Sequence, residues 1–541
     1  MPPDSAEPLR EQAPMLEDQN GTVDSPTRPL PSDFASLLGD LSLDRMGQPR
    51  WQVHDRTHLE FAVHYPLGNA RGGGEQVFEW EAYFFLPQSL RIHVETYSRA
   101  QIQADLQSYI RLAAPAVPFT DLATVSMARL REGFSSGNED RALRAARLFA
   151  SEVRASGVFE RSRIANAIAD EKQSVRSLAY AQARRMATDA RAVVTAFREA
   201  KTEFVEGRPR TVVETCGWID EDISKAMETL LGRLGRDLFE GGAPTEIVEE
   251  VEQVAVDEAR YRVAHLLDRP ITGKVTKRQV EHLEYRRHML KRFTSSALWL
   301  DAESYVPGRW VRQALYAGAA SVAMAFAIVA ALFYGFQANT ERMWMWGFLA
   351  MGAYAVKDRI KAALQEASHD VMSRWYPDRR WRIRPRGDSA VLGEMDERSG
   401  MVTSEDIPAE IHRARYWNRK RLFSAIGVPE TVLRHKKTIR VNPDVVRRVG
   451  PQFDALTEIF RLDIRRWLAH TDDPKREILF ADPVSGGIRT AKAPRVYNIG
   501  VVYRLVRAGQ PEPSWKRVRV VVSRKGIDRI EHVEPEPPDE E

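Results

Sequence analysis

The sequence predicts a mixed α+β membrane protein, and three observations carry that prediction. Residues Ala314 to Phe336, ALYAGAASVAMAFAIVAALFYGF, run 23 positions without a charge. Stretches near the start and the end of the 541-residue chain alternate apolar and polar residues with period two, the pattern of strands with one buried face. Between the first of these and the apolar run, apolar residues recur at three- and four-residue steps, which is helical. In chain order the expectation is an N-terminal β-hairpin, a long-helix bundle, a two-helix transmembrane hairpin and a C-terminal small α+β domain with an antiparallel sheet. The boundaries expected are 1–48 for a disordered acidic, Pro-rich tail and 49–135 for a small α+β region holding the β-hairpin. Residues 136–305 form a helical bundle or coiled-coil stalk, 306–376 the transmembrane hairpin with an amphipathic extension, 377–533 a basic α+β domain and 534–541 an acidic tail.

Residues 1–48 are rich in Pro, Ser, Asp and Glu without periodicity, and they contain no apolar core of a secretory signal. Order begins at Trp51, where WQVHDRTHLEFAVHY places Trp51, Val53, Leu59, Phe61, Val63 and Tyr65 on one side. After the flexible GNARGGGE, VFEWEAYFFLP returns with Phe78, Trp80, Ala82, Phe84 and Leu86 on its apolar face. The two stretches read as one hairpin, with Glu79 and Glu81 as cross-strand partners for Arg56 or His58. His54, His58 and His64 do not share a metal ion on such a strand, because at ~3.3 Å per residue the first and last lie about 33 Å apart. Next, SRAQIQADLQSYIRL opens on the capping-box pair Ser98 and Gln101 and sets Ile102, Leu106, Tyr109 and Ile110 on one helical face.

Residues 158–206 contain no Gly or Pro and read as one helix of more than 40 residues, on the order of 65 Å long, with one apolar step skipped after Ile168. Further helices are expected from Asp220 to Phe239, Thr245 to Leu267 and Val275 to Glu303. The segments AYFFLP, LQSYIRL and KRFTSSALWLD resemble a loosely defined group of uncharacterised bacterial proteins with two membrane helices. That resemblance implies architecture and brings no activity or site residue. Glu284 and His288, with His282 nearby, lack the two-His-plus-Glu zinc pattern and read as a solvated helix face. The single cysteine, Cys216, excludes intramolecular disulfides and Cys-based zinc sites and reads as buried filler. No catalytic residue, metal ligand or cofactor is therefore expected.

At ~1.5 Å per residue the first apolar run spans roughly 34 Å, against a hydrocarbon core of about 30 Å. The second run, Met343 to Val356, reaches only about 21 Å and leans on Trp344 and Trp346 at one end and Lys357, Arg359 and Lys361 at the other. A buried pair of core helices is the competing reading. Arg309 and Arg312 precede the first run and the three basic residues follow the second, while the link holds only Glu341 and Arg342. By the excess of positive charge, both flanks and both termini belong on the cytoplasmic side of an inner membrane. Ala319, Ala323, Ala327, Ala331 and Gly335 form a small-residue ridge suited to Gly347 and Gly352 of the second helix, or to a second copy of the chain.

Residues 357–541 hold 37 Lys and Arg against 28 Asp and Glu, leaving 42 against 47 before them. The later part is basic, and Lys357, Arg359, Lys361, Arg379, Arg380 and Arg382 are its expected contacts with a lipid surface. Nucleic acid is not an expected partner, since no helix-turn-helix spacing, zinc finger or aromatic RNA motif accompanies the charge. PQFDALTEIFRLDIRRWLAH reads as an amphipathic helix, and RVYNIGVVYRLVR and WKRVRVVVSRKGIDRIEHV as strands with a turn at Lys525 and Gly526. The expected function is a membrane-anchored scaffold, sensor or assembly protein that binds protein partners, itself or anionic lipid. An oligomeric channel or transporter component and a membrane-tethered enzyme are the alternatives. Neither apolar run holds an ionisable residue of the kind that marks an ion path.

Overall fold

The computed structural model describes residues 50–67, 74–265, 267, 274–335, 348, 351–352, 354–359, 361–363, 376–387, 389–416, 429–484, 486–511 and 513–533. Both expected disordered tails and most of GNARGGGE lie outside these. The alternating N-terminal stretch is broken at Asp55, whose carboxylate accepts the backbone N–H groups of Thr57 at 2.7 Å and His58 at 2.8 Å. That side-chain turn folds β1 (Arg50–Val53) back on β2 (His58–Pro66) as an antiparallel hairpin. The expected return strand, β3 (Gln76–Pro87), does not pair with β2 and lies in a different sheet. The bend also removes the extended-strand spacing assumed for the histidines, and the His54 and His58 rings sit 6.3 Å apart.

Helix α1 (Arg99–Asp105) starts on the Ser98–Gln101 capping box, but the helix stops there, and LQSYIRL is strand β4 (Leu106–Leu112). The helical bundle comprises α2 (Met127–Phe134), α3 (Glu139–Ile168), α4 (Gln173–Val205), α5 (Arg210–Glu240), α6 (Thr245–Ala264) and α7 (Lys277–Ser295). The single long helix expected across 158–206 is thus two helices, broken where the apolar step is skipped. Asp170 accepts the N–H of Lys172 at 2.8 Å in that break. Beyond α7 the chain is strand β5 (Leu300–Tyr305), not more helix, and it leads into α8 (Arg309–Gly335).

The C-terminal part contributes β6 (Arg379–Pro385), β7 (Gly393–Val402), α9 (Ala409–Tyr416), β8 (Glu430–Val441), α10 (Pro443–Val449) and β9 (Ala455–Asp463). The one-turn α11 (Arg465–Leu468), β10 (Lys475–Asp482), β11 (Gly487–Pro494), β12 (Tyr497–Arg507), β13 (Lys516–Ser523) and β14 (Gly526–Val533) follow. The expected amphipathic helix at 451–470 is therefore β9 plus α11. Its apolar residues fit a strand because they bury on both sides of a central position between β2 and β4.

Two antiparallel sheets stack on one another. One has the order β1-β2-β9-β4 and the other β14-β13-β12-β3-β8-β7-β6-β5, while β10 and β11 pair as a separate ribbon. Aromatic rings fill the space between the sheets: Phe61 lies 4.4 Å from Trp51 and 5.1 Å from Trp80, and Trp80 lies 5.1 Å from Phe460. Strand β3 sits between β12 and β8, and β9 between β2 and β4. The C-terminal strands therefore share both sheets with the N-terminal ones and do not make a small domain of their own.

Among the described residues no helix is long and apolar enough to cross a membrane. This overturns the two-helix transmembrane hairpin, and with it the two-span inner-membrane placement with cytoplasmic termini. The reading rested on the absence of charge. Much of that run is Ala and Gly, and such small side chains each contribute little transfer free energy beside Leu, Ile or Phe. The segment is instead an excursion between neighbouring strands, because β5 and β6 pair directly with Tyr305 opposite Arg380. Most of Met343–Val356 and most of the expected amphipathic extension, including residues 364–375, lie outside the described residues.

Candidate binding surface

Strand alternation divides the basic sequence RHKKTIR of β8 between two faces. Leu433, His435, Lys437 and Ile439 turn toward the other sheet, while Arg434, Lys436, Thr438 and Arg440 turn outward. The inward set carries a charged cluster. Lys437, 0% exposed, reaches Glu397 of β7 at 2.8 Å and also bonds Glu458 of β9 and Ser108 of β4. Tyr65 donates its hydroxyl to Glu458 at 2.7 Å, and Ser399 Oγ lies 2.6 Å from His435 Nδ1.

Burial acts to raise the Glu397 carboxyl, but the ammonium of Lys437 and the imidazole of His435 outweigh it and hold the group down at about 2. Burial and then the charge of Lys437 push His435 down to about 3, so the ring is neutral at pH 7. Lys437 itself is raised: burial works against its charge, and the two carboxylates overcome it. The cluster holds three hydroxyls, an imidazole, an amine and two carboxylates, but it is sealed beneath Trp80 and Phe460, whose rings lie 5.0 Å from that of His435. Its chemistry is that of a buried structural network. Cys216 is likewise enclosed, among Ala142, Phe204 and Val212, and burial pushes its thiol up to about 11.

The outward face is open and ionic. Arg434 pairs with Glu81 at 2.6 Å and Lys436 with Glu79 at 2.6 Å; these acids were expected to serve Arg56 or His58. Arg440 and Arg380 share Asp396 at 3.0 and 2.5 Å. A concavity of 340 Å³ on this face is lined by Arg398, Arg434, Lys436 and Arg440 with Thr438, against two acids, Glu79 and Asp396. Among the described residues, no apolar residue lines it. At one end of the face, Ile407, just ahead of α9, and Ile411 of α9 pack with Tyr83, Phe85, Val432 and Val502.

The residues singled out from sequence are scattered by the fold. Arg380 and Arg382 lie on the outward face, Arg382 beside Glu394 at 3.8 Å, whereas Arg379 points the other way and reaches the Gln103 carbonyl at 3.5 Å. Lys357, Arg359 and Lys361 are helical, with Lys357 4.0 Å over the Tyr354 ring. In α8, Ala323 is buried, and the side-chain surroundings of Ala319, Ala327, Ala331 and Gly335 lie outside the described residues. Gly347 also lies outside them, and a Cβ placed on Gly352 meets nothing within 4 Å. Sequence reasoning missed Arg434, Lys436 and Arg440, although basic residues at period two in RHKKTIR were a readable signal. No family model, curated protein or solved structure matches this chain.

Proposed function

We propose that this protein is a scaffold or assembly protein that holds an acidic protein partner against the outward face of its eight-stranded sheet. The observation that carries this reading is the polar concavity lined by Arg398, Arg434, Lys436 and Arg440. A site with cationic forks and no apolar wall suits a surface of carboxylates, and a rigid sheet keeps the forks in register. The existing pairs with Glu81, Glu79 and Asp396 restrain Arg434, Lys436 and Arg440, so a partner carboxylate meets ordered donors.

Labelled polyglutamate titrated into the full chain tests this directly. Binding that weakens as salt rises is expected, with at least a tenfold loss in Arg398→Glu/Arg434→Gln. Equal binding by that variant, or binding to phosphatidylserine vesicles with none to the peptide, would sink the reading.

A further inference from the structure

We propose that the cleft where the helical bundle meets the stacked sheets binds an amphipathic oxyanion, a carboxylate or phosphate monoester carried on an apolar body. The cleft has a volume of 610 Å³, within the range of roughly 300–1,000 Å³ typical of small-molecule sites. Its walls come from four separated stretches of chain: α2, the first half of α3, the short turn at Ala297, and the end of α10 with the loop that follows it. Leu130 and Phe149 belong to the bundle core and Phe453 to the core between the sheets, so the apolar lining is the seam of the two.

Charge decides what kind of head group fits. Arg129 donates to Glu152 at 2.8 Å and Arg141 to Glu132 at 3.1 Å, so those two guanidinium groups are balanced. Arg144 and Arg448 add positive charge that the two lining acids do not cancel. Arg144 makes no ion pair among the described residues, and the side chain of Arg448 bonds only the backbone oxygen of Asp444, at 3.4 Å. The neighbouring Arg147 is lowered, by burial first and then by the charge of Arg144, with Asp140 acting the other way. Guanidinium forks match the planar carboxylate and the phosphate face, and the adjacent Leu148 and Val449 give an apolar body somewhere to lie.

Calorimetric titration of the full chain with decyl phosphate, decanoate and inorganic phosphate, below the micelle concentrations, tests the proposal. The expected result is one-to-one binding of at least one alkyl anion, at least tenfold tighter than inorganic phosphate. Arg144→Gln/Arg448→Gln, two exposed positions, should weaken it at least tenfold with an unchanged melting temperature. Arg398→Glu/Arg434→Gln on the sheet face should bind as the parent does. A preference between the two alkyl anions identifies the head group. The proposal is overturned if neither alkyl anion binds, if inorganic phosphate binds as tightly, or if the Arg144/Arg448 variant keeps full affinity.

Discussion

Lys437 is the residue on which the interior depends most sharply. Its ammonium is the shared partner of Glu397 and Glu458, so Lys437→Met leaves two carboxylates buried without their cation. Breaking a buried pair in this way costs about 3–5 kcal/mol, readable as a drop in the denaturant midpoint. The pH dependence has a definite sign. Glu397 sits at about 2 in the folded protein, below its unfolded value near 4.3, so its contribution is present above ~4.3 and lost as pH falls toward 2. His435 is also depressed, to about 3 from an ordinary 6.5; the unfolded chain takes up this proton first, and stability falls from pH 6.5 downward. Unfolding free energy should therefore begin to decline before the carboxylates titrate. In Ser399→Ala/His435→Phe the slope between pH 5 and 6 should shrink by about 1.2 kcal/mol per pH unit. An unchanged slope there would assign the effect to other histidines.

At the scale of elements, α5 shows how three consecutive acids can all be buried. Successive residues of a helix point ~100° apart, so Asp220, Glu221 and Asp222 face different neighbours. Asp220 takes Arg198 at 3.2 Å and Lys201 from α4, and the Tyr261 hydroxyl from α6 at 2.7 Å. Glu221 accepts Arg286 of α7 at 3.0 Å, while Asp222 pairs with Arg154 of α3 and accepts the Thr294 hydroxyl at 2.7 Å. One helix is thereby keyed to four others. Asp220→Ala should destabilise the protein by about 3 kcal/mol, whereas Glu214→Ala, which removes an exposed pair with Arg210, should cost no more than ~0.5 kcal/mol. Equal effects in thermal melts would remove the keying role. The β13–β14 turn is similarly constrained. Gly526 has φ +127°, its added Cβ would collide with the Arg56 carbonyl, and that carbonyl accepts Ile527 N–H at 2.7 Å. Gly526→Ala should cost about 1–3 kcal/mol, measured by the same melts.

For the whole molecule, the two sheets are assembled from both ends of the chain, with the bundle and the α8 segment inserted between strands. Because Tyr305 and Arg380 are paired, replacing 307–377 by a short Gly/Ser linker should leave a cooperatively folding protein with the same sheet content by circular dichroism. Loss of the cooperative transition would show that the segment supports the sheets. The candidate surface was legible only in part. Charge asymmetry pointed to Arg380 and Arg382, but Arg379 beside them faces inward, and the larger share of the surface comes from β8. Local signals were read correctly where the cause is local: the Ser98 capping box, α6 from Thr245, and the strands on either side of the Lys525–Gly526 turn. These the sequence determined by itself, because a cap, a helical period or a turn is satisfied by residues a few positions apart. The tertiary structure alone decided that β3 leaves β2 for β12 and β8, that LQSYIRL and ALTEIFRLD are strands, and that Lys437 is buried while Lys436 is not. Every strand offers the same backbone donors and acceptors, so its partner is chosen by which apolar faces can be buried together, and those faces lie hundreds of residues apart.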